Sequence, residues 1–185
     1  MIHSFTCKNF YSFKEETTLS FVVNKNVSRN DGYFTTRSST RLSKVETVIG
    51  PNASGKTNLL KILPFLKWLI IDSFNTKPED PIVIQPFVFG KAKNKPSDLS
   101  VVFEIEGNIY TYLFSLTKER ILFEELRLSS FVNKKKSTRK IFSRTWNPKS
   151  NIYKFEGGKF GLPKGFENGD LLRKNASIVS AAARL

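Results

Sequence analysis

Eight consecutive residues carry the clearest chemistry in the chain. Gly50, Pro51, Asn52, Ala53, Ser54, Gly55, Lys56 and Thr57 fit G-x-x-x-x-G-K-[ST] at every fixed position. Gly50 and Gly55 let the backbone curl until successive amide N–H groups point at one anion. The loop feeds a helix start, whose free N–H groups and dipole add to the attraction. Lys56 sets an ammonium against the β- and γ-phosphates of a nucleotide; it is the residue expected to act in catalysis, by polarising the γ-phosphate. Thr57 offers Mg²⁺ a hydroxyl oxygen, the donor type that ion prefers. Asn58 completes the expected binding set, and the expected cofactors are ATP and Mg²⁺. A dinucleotide-binding Rossmann site is a poor alternative, because no G-x-G-x-x-G follows a strand.

Such a loop needs a strand before it and a helix after it. "KVETVIG" (Lys44 to Gly50) is short and β-branched, and predicts a buried strand. "GKTNLLKILPFLKWLIIDSF" then switches to helical spacing, with Leu59, Ile62, Leu63, Leu66 and Ile70 on one face. Pro64 should bend or split this helix. Upstream, "TTLSFVV" (Thr17 to Val23) alternates as a half-buried strand, and "IHSFTCKNF" is its partner across a turn at "YSFKEE". Asn24 to Lys44 is polar and predicts an irregular excursion.

After a Pro-punctuated connection the pattern becomes strands: "DLSVVFEIEG", "IYTYLFSL", "RILFEELRLSSF", "RKIFSRTW" and "NIYKFEGGKFG". Gly107-Asn108 marks one turn and Gly157-Gly158 another. Alternation in these strands suits an antiparallel meander with one wet face, which makes Glu104 a surface acid. "GDLLRKNASIVSAAARL" returns to helical spacing through Leu171, Asn175, Ile178, Ala182 and Leu185. Exposed Ile178, Val179 and Leu185 are expected there as a sticky packing surface.

Composition narrows the classes. The chain has 185 residues, 39% hydrophobic and 13% aromatic, which is globular rather than disordered. One cysteine (Cys7) and one histidine (His3) exclude an internal disulfide and a Cys/His zinc site, and suit a reducing, cytoplasmic setting. The N-terminus lacks a signal-peptide pattern, and Leu59 to Ile71 is too short and too interrupted to span a membrane. Net charge is +14, with seven Lys or Arg and no acid between Phe131 and Lys149. That run is either a solvated face or a site for a polyanion or an acidic partner.

"FTCKNFYSFKEETTLSF" followed by "VIGPNASGKTNLLKIL" resembles the opening of SMC/RecF-like ABC ATPases: a strand, an "NF-x-SF" turn, a second strand, then a "GxNxSGK" loop. The stretch from "PFVFGKAKNKPSDLSVVFEIEG" to "EELRL" is similar to bacterial AAA-type ATPases related to the OLD family, found in anti-phage systems. The resemblance implies an α/β P-loop NTPase fold of the ABC-ATPase-like kind. It covers an N-terminal lobe over residues 1–185: strands, phosphate loop and helix over 1–75, the antiparallel meander over 97–165, and the start of a helix over 166–185, with the C-terminal half absent. Many relatives carry Arg after the Asn-Phe, where this chain has Tyr11; Lys8 is a candidate substitute. Their signature motif and acidic Walker B strand lie downstream of that final helix.

The function implied is an ATP-dependent switch in DNA-linked or anti-phage processes. It would work through a homodimer or higher oligomer of ATPase lobes, with a nuclease or toxin partner and with nucleic acid as further partners, and without a membrane. ATP hydrolysis belongs to the complete protein; the 185 residues are expected to bind without turnover. Local substitutes for the missing parts are weak. "LRLSSF" lacks the signature glycines, and Gln85 reads as a loop polar group rather than a metal- or water-contacting one. The alternative is a non-hydrolysing module that docks on nucleic acid or a partner protein. A kinase or GTPase fits less well, since no Asn-Lys-x-Asp follows the loop.

Overall fold

A computed structural model of the chain describes residues 1–28, 31–132, 135–157 and 172–184. Alternating burial drives the first pairing. β1 (Ile2–Lys8) buries His3, Phe5 and Cys7, and pairs antiparallel with β2 (Thr17–Ser20), Phe5 lying opposite Leu19. Cys7 is fully buried, and burial pushes its thiol pKa up to about 11. The polar excursion is less irregular than expected. It holds a small hairpin of β3 (Tyr33–Thr35) and β4 (Arg41–Ser43), strands too short for alternation to reveal.

The predicted meander is present: β5 (Ser97–Ile105), β6 (Asn108–Leu116), β7 (Ile121–Val132), β8 (Lys135–Asn147) and β9 (Ile152–Gly157). With the first two strands they form a seven-stranded antiparallel sheet in the order β2-β1-β5-β6-β7-β8-β9. The β5–β6 turn sits one residue earlier than the sequence suggests, on Glu106 and Gly107. Both have positive φ (51° and 86°), as a two-residue hairpin of the twist-matched kind requires. The expected Gly157-Gly158 hairpin, Leu171 and Leu185 lie at least partly outside the described residues.

The helix splits as Pro64 predicts, but upstream of it. α1 (Lys56–Leu60) and α2 (Ile62–Lys67) meet at Lys61, so Pro64 falls in the first turn of α2, where its missing N–H costs nothing. A π-helical turn (Trp68–Asp72) and a 3₁₀ turn (Ser73–Asn75) follow. Leu59, Ile62, Leu66 and Leu69 are buried against the sheet; Leu69 takes the place expected for Ile70.

Three expectations are overturned. The segment 44–50 before the phosphate loop forms no strand and pairs with none among the described residues, and Val45 and Ile49 are 75% and 88% exposed. A β-branched run forms a ladder only where a neighbour supplies one. Among the described residues the last helix, α3, covers only Ile178–Ala182. Ser177 caps it by accepting from Ser180 N–H at 3.0 Å, while Asn175 instead donates to the carbonyls of Lys77 and Asp80 at 2.7 and 2.9 Å. Ile178 is buried rather than exposed, and Val179 packs against the core. Ser180 fixes α3 to the helical turns, accepting from Phe74 N–H at 3.0 Å and donating to Ile71 O at 2.9 Å.

Glu104 is the third correction: it is 1% exposed, not a surface acid. The β1–β5 register shifts between Ile2 and Ser4, and the turn between β3 and β4 closes over this end of the sheet. The carboxylate accepts from Ser38 Oγ at 2.6 Å and Ser38 N–H at 3.0 Å, and contacts His3 Nε2 at 3.0 Å. Burial pushes its pKa up, but hydrogen bonds from Ser38, Thr36 and His3 outweigh burial and hold it at about 2. Since the folded pKa is depressed, the stabilisation is complete above about pH 4.5 and is lost as pH falls toward 2. Glu104→Gln should therefore lower stability at pH 7 by roughly 2–3 kcal/mol and flatten its dependence between about pH 5 and 2. Denaturant melts across that range measure both; parallel curves for the two proteins would contradict the assignment.

Candidate phosphate-binding site

The phosphate loop folds as its residue types require. Ala53 and Gly55 have φ of 64° and 94°, which turns the chain back on itself. Gly55 is needed for its left-handed φ, and a Cβ there would also lie 2.7 Å from Ser12 Oγ; a Cβ on Gly50 would lie 2.8 Å from Ser54 Oγ, which that serine relieves by rotating. The first backbone bond of α1 runs from Leu59 N–H to Gly55 O at 2.9 Å. The amides of Lys56, Thr57 and Asn58 therefore have no acceptor within the helix. Asn52 to Asn58 line an open concavity of about 280 Å³. Lys56 Nζ folds across the loop and donates to the carbonyls of Gly50 and Pro51 at 2.7 and 2.6 Å. An incoming phosphate would exchange those neutral acceptors for charged ones.

Of the nine expected residues, Asn52 to Asn58 line the concavity, and Gly50 and Pro51 join it through the carbonyls that Lys56 holds. The structure also shows what braces them, to which the sequence alone gives no role. Asn58 Nδ2 donates to Ser12 Oγ at 3.2 Å, and Ser12 sits against Gly55. Ser12 belongs to the turn Asn9–Lys14, closed by Phe10 N–H to Phe13 O at 2.9 Å and its reverse at 2.8 Å. Asn9 and Tyr11 both have positive φ (53° and 49°), which Asn tolerates well. The "NF-x-SF" motif is the signal: its Asn and Ser are the positions a turn under the loop needs. Tyr11 N–H donates to Gln85 O at 2.7 Å, and Lys61 lies 4.4 Å from the Tyr11 ring centroid. Lys8 lines a different cavity and is not among the residues around the loop.

Among the described residues no three His, Cys, Asp or Glu side chains are grouped to hold a metal. Mg²⁺ brought in with a nucleotide would be held by the Thr57 hydroxyl and by the phosphates themselves. Glu104 is committed to Ser38 and His3, within β5 and its cover rather than beside the loop.

A family model described as "AAA domain, putative AbiEii toxin, Type IV TA system" matches residues 47–178, more than two-thirds of the chain, and its match begins three residues before the phosphate loop. The chain belongs to this AAA domain family. No curated protein matches it significantly. Membership makes the AAA domain a P-loop ATPase-type domain, an α/β fold whose members generally use ATP and Mg²⁺. Here the AAA domain carries a mostly antiparallel sheet and few helices. No helix among the described residues is long and apolar enough to cross a membrane.

The basic run on β8 is only partly a surface. Arg139 and Lys140 are exposed, and Lys140 pairs with Glu156. Arg144, expected among the polyanion contacts, is fully buried and cannot serve as one. Its Nε lies 2.6 Å from Glu124 Oε2, and its guanidinium donates to Arg173 O at 2.8 Å and to Ala176 O. Glu124 Oε1 accepts from Tyr112 Oη and from Ile178 N–H at 2.8 Å. Burial, then the Glu124 carboxylate, push the Tyr112 hydroxyl well above its ordinary pKa, so it stays a donor. The cluster ties β6, β7, β8 and α3 together.

Proposed function

We propose that the chain is the nucleotide-binding lobe of an SMC/RecF-like ABC ATPase, in the OLD-related group, acting as an ATP-dependent switch in anti-phage or DNA-linked processes. The observation that carries the reading is the braced loop Gly50–Asn58, with Lys56 free to trade two carbonyls for phosphate oxygens. Lys56 binds and polarises the phosphates, Thr57 takes Mg²⁺, and the loop amides fix the β-phosphate. The unladdered segment 44–50, with its exposed Val45 and Ile49, favours a lobe that is completed by further strands. Those strands would bring the acid that activates water and the signature for a second copy's nucleotide. The family's description names an AbiEii toxin of a toxin–antitoxin system, which is compatible with a defence role.

Calorimetry with Mg-ATP and Mg-GTP, followed by a steady-state phosphate-release assay, tests this reading. The 185 residues should bind Mg-ATP and release no phosphate over many turnovers. Absence of ATP binding would remove the switch and leave a docking module; steady turnover would mean that an acid in this chain serves as the base.

A further inference from the structure

A second cavity borders the turn Asn9–Lys14 and shares no lining residue with the concavity at the phosphate loop. It measures about 910 Å³ and is bordered by Lys8, Lys14, Lys91, Lys95 and Phe89. A neighbouring concavity of about 520 Å³ shares Lys95 and adds Lys93, Lys118 and Val88. The two lie either side of the segment 85–95, whose exposed crest carries Val88 and Phe89, 56% and 72% exposed. The Phe89 ring stands edge-on to Phe87 with centroids 5.5 Å apart, which steadies it while leaving it open to solvent.

The walls are built, not incidental. Asn9 is buried, and its amide donates to the carbonyls of Ala92, Lys95 and Pro96 at 2.9, 2.9 and 3.1 Å while its Oδ1 accepts from Phe87 N–H at 3.1 Å. One side chain thus pins the segment 87–96 to the turn. The charge of the walls is positive. Four lysines face Glu15 and Asp98 in the larger cavity, Glu15 lying 3.6 Å from Lys14, and Lys93, Lys95 and Lys118 face Glu119 in the smaller. Lys8, Lys91 and Lys95 have no ion pair among the described residues.

We infer that this pair of concavities is a track for single-stranded nucleic acid. Lysines would follow the phosphates, and an unstacked base would lie on Phe89. Two basic hollows in series, with an apolar crest between them, match a flexible polyanion that has exposed ring faces. A duplex hides those faces, and a mononucleotide would fill one hollow only. The inference does not depend on the ATPase reading, because the track and the phosphate loop share only the turn that braces them.

Fluorescence anisotropy of a labelled oligo-dT of about a dozen nucleotides, at several salt concentrations, tests it. Phe89→Ala should weaken binding by about tenfold, within the range for one base–aromatic stack. Lys91→Ala with Lys95→Ala should flatten the log–log salt slope by about 1.4, at roughly 0.7 per phosphate contact on a single strand. Lys25→Ala, at an exposed position outside both concavities, should change neither. All of these positions are exposed or partly exposed, and thermal melts check that the variants fold. No binding at low salt, equal affinity for duplex and single strand, or binding indifferent to Phe89, Lys91 and Lys95 would overturn the inference. Capture of an acidic peptide in preference to the oligonucleotide would do so too.

Discussion

Lys56→Ala should weaken Mg-ATP binding by about a hundredfold or more, without lowering the melting temperature. The ammonium is the only cation among the residues lining the loop's concavity. A charge-assisted bond to phosphate is worth about twice a neutral one, and here one group reaches two phosphates. Two such contacts at about 1.5 kcal/mol or more each give the expected factor. Stability is spared because Lys56 donates only to the Gly50 and Pro51 carbonyls, which water can satisfy instead at an exposed loop. Lys56→Arg is the informative companion: it keeps the charge, but a planar fork does not fit a point-charge site, so affinity should return only in part. Calorimetry on the three proteins decides, and equal ATP affinity for wild type and Lys56→Ala would mean that the loop does not hold the phosphates.

Arg144→Ala should cost about 3–5 kcal/mol of folding stability, more than Glu104→Gln at any pH. Arg144 and Glu124 are both fully buried, and removing the guanidinium leaves a carboxylate in the core with only Tyr112 and Ile178 as partners. It also frees the carbonyls of Arg173 and Ala176, which lead into α3. The pair Arg144→Met with Glu124→Leu should cost less than the sum of its single changes, because no lone charge remains. Denaturant unfolding of the singles and the double measures the coupling. Additive costs would mean that the two side chains act independently.

The phosphate loop is legible in the sequence because its chemistry is local: eight adjacent residues contain both the motif and the turn. The meander is legible because each hairpin follows its neighbour in the chain. What escapes depends on distant contacts. Arg144 reads as one more cation in a basic run, and only the fold brings Glu124 to it. Glu104 reads as the polar member of an alternating strand until Ser38, 66 residues earlier, covers it. Val45 to Ile49 has the composition of a buried strand, yet composition does not supply a neighbour. Asn9 reads as one letter of a turn motif, but its four partners lie 78 to 87 residues away.

The buried thiol of Cys7 gives the fold a clock. Only a thiolate attacks a disulfide reagent, and a pKa of about 11 leaves almost none at neutral pH. Cys7 lies in β1 between β2 and β5, opposite Thr17 and Leu99, so a reagent reaches it only when those ladders part. With a single cysteine in the chain, the colour released by such a reagent reports one event at one place. Any ligand that favours the closed sheet slows that colour change by the factor its binding adds to stability. The unaltered chain thus contains its own probe for ranking nucleotides and oligonucleotides, one labelling half-time at a time.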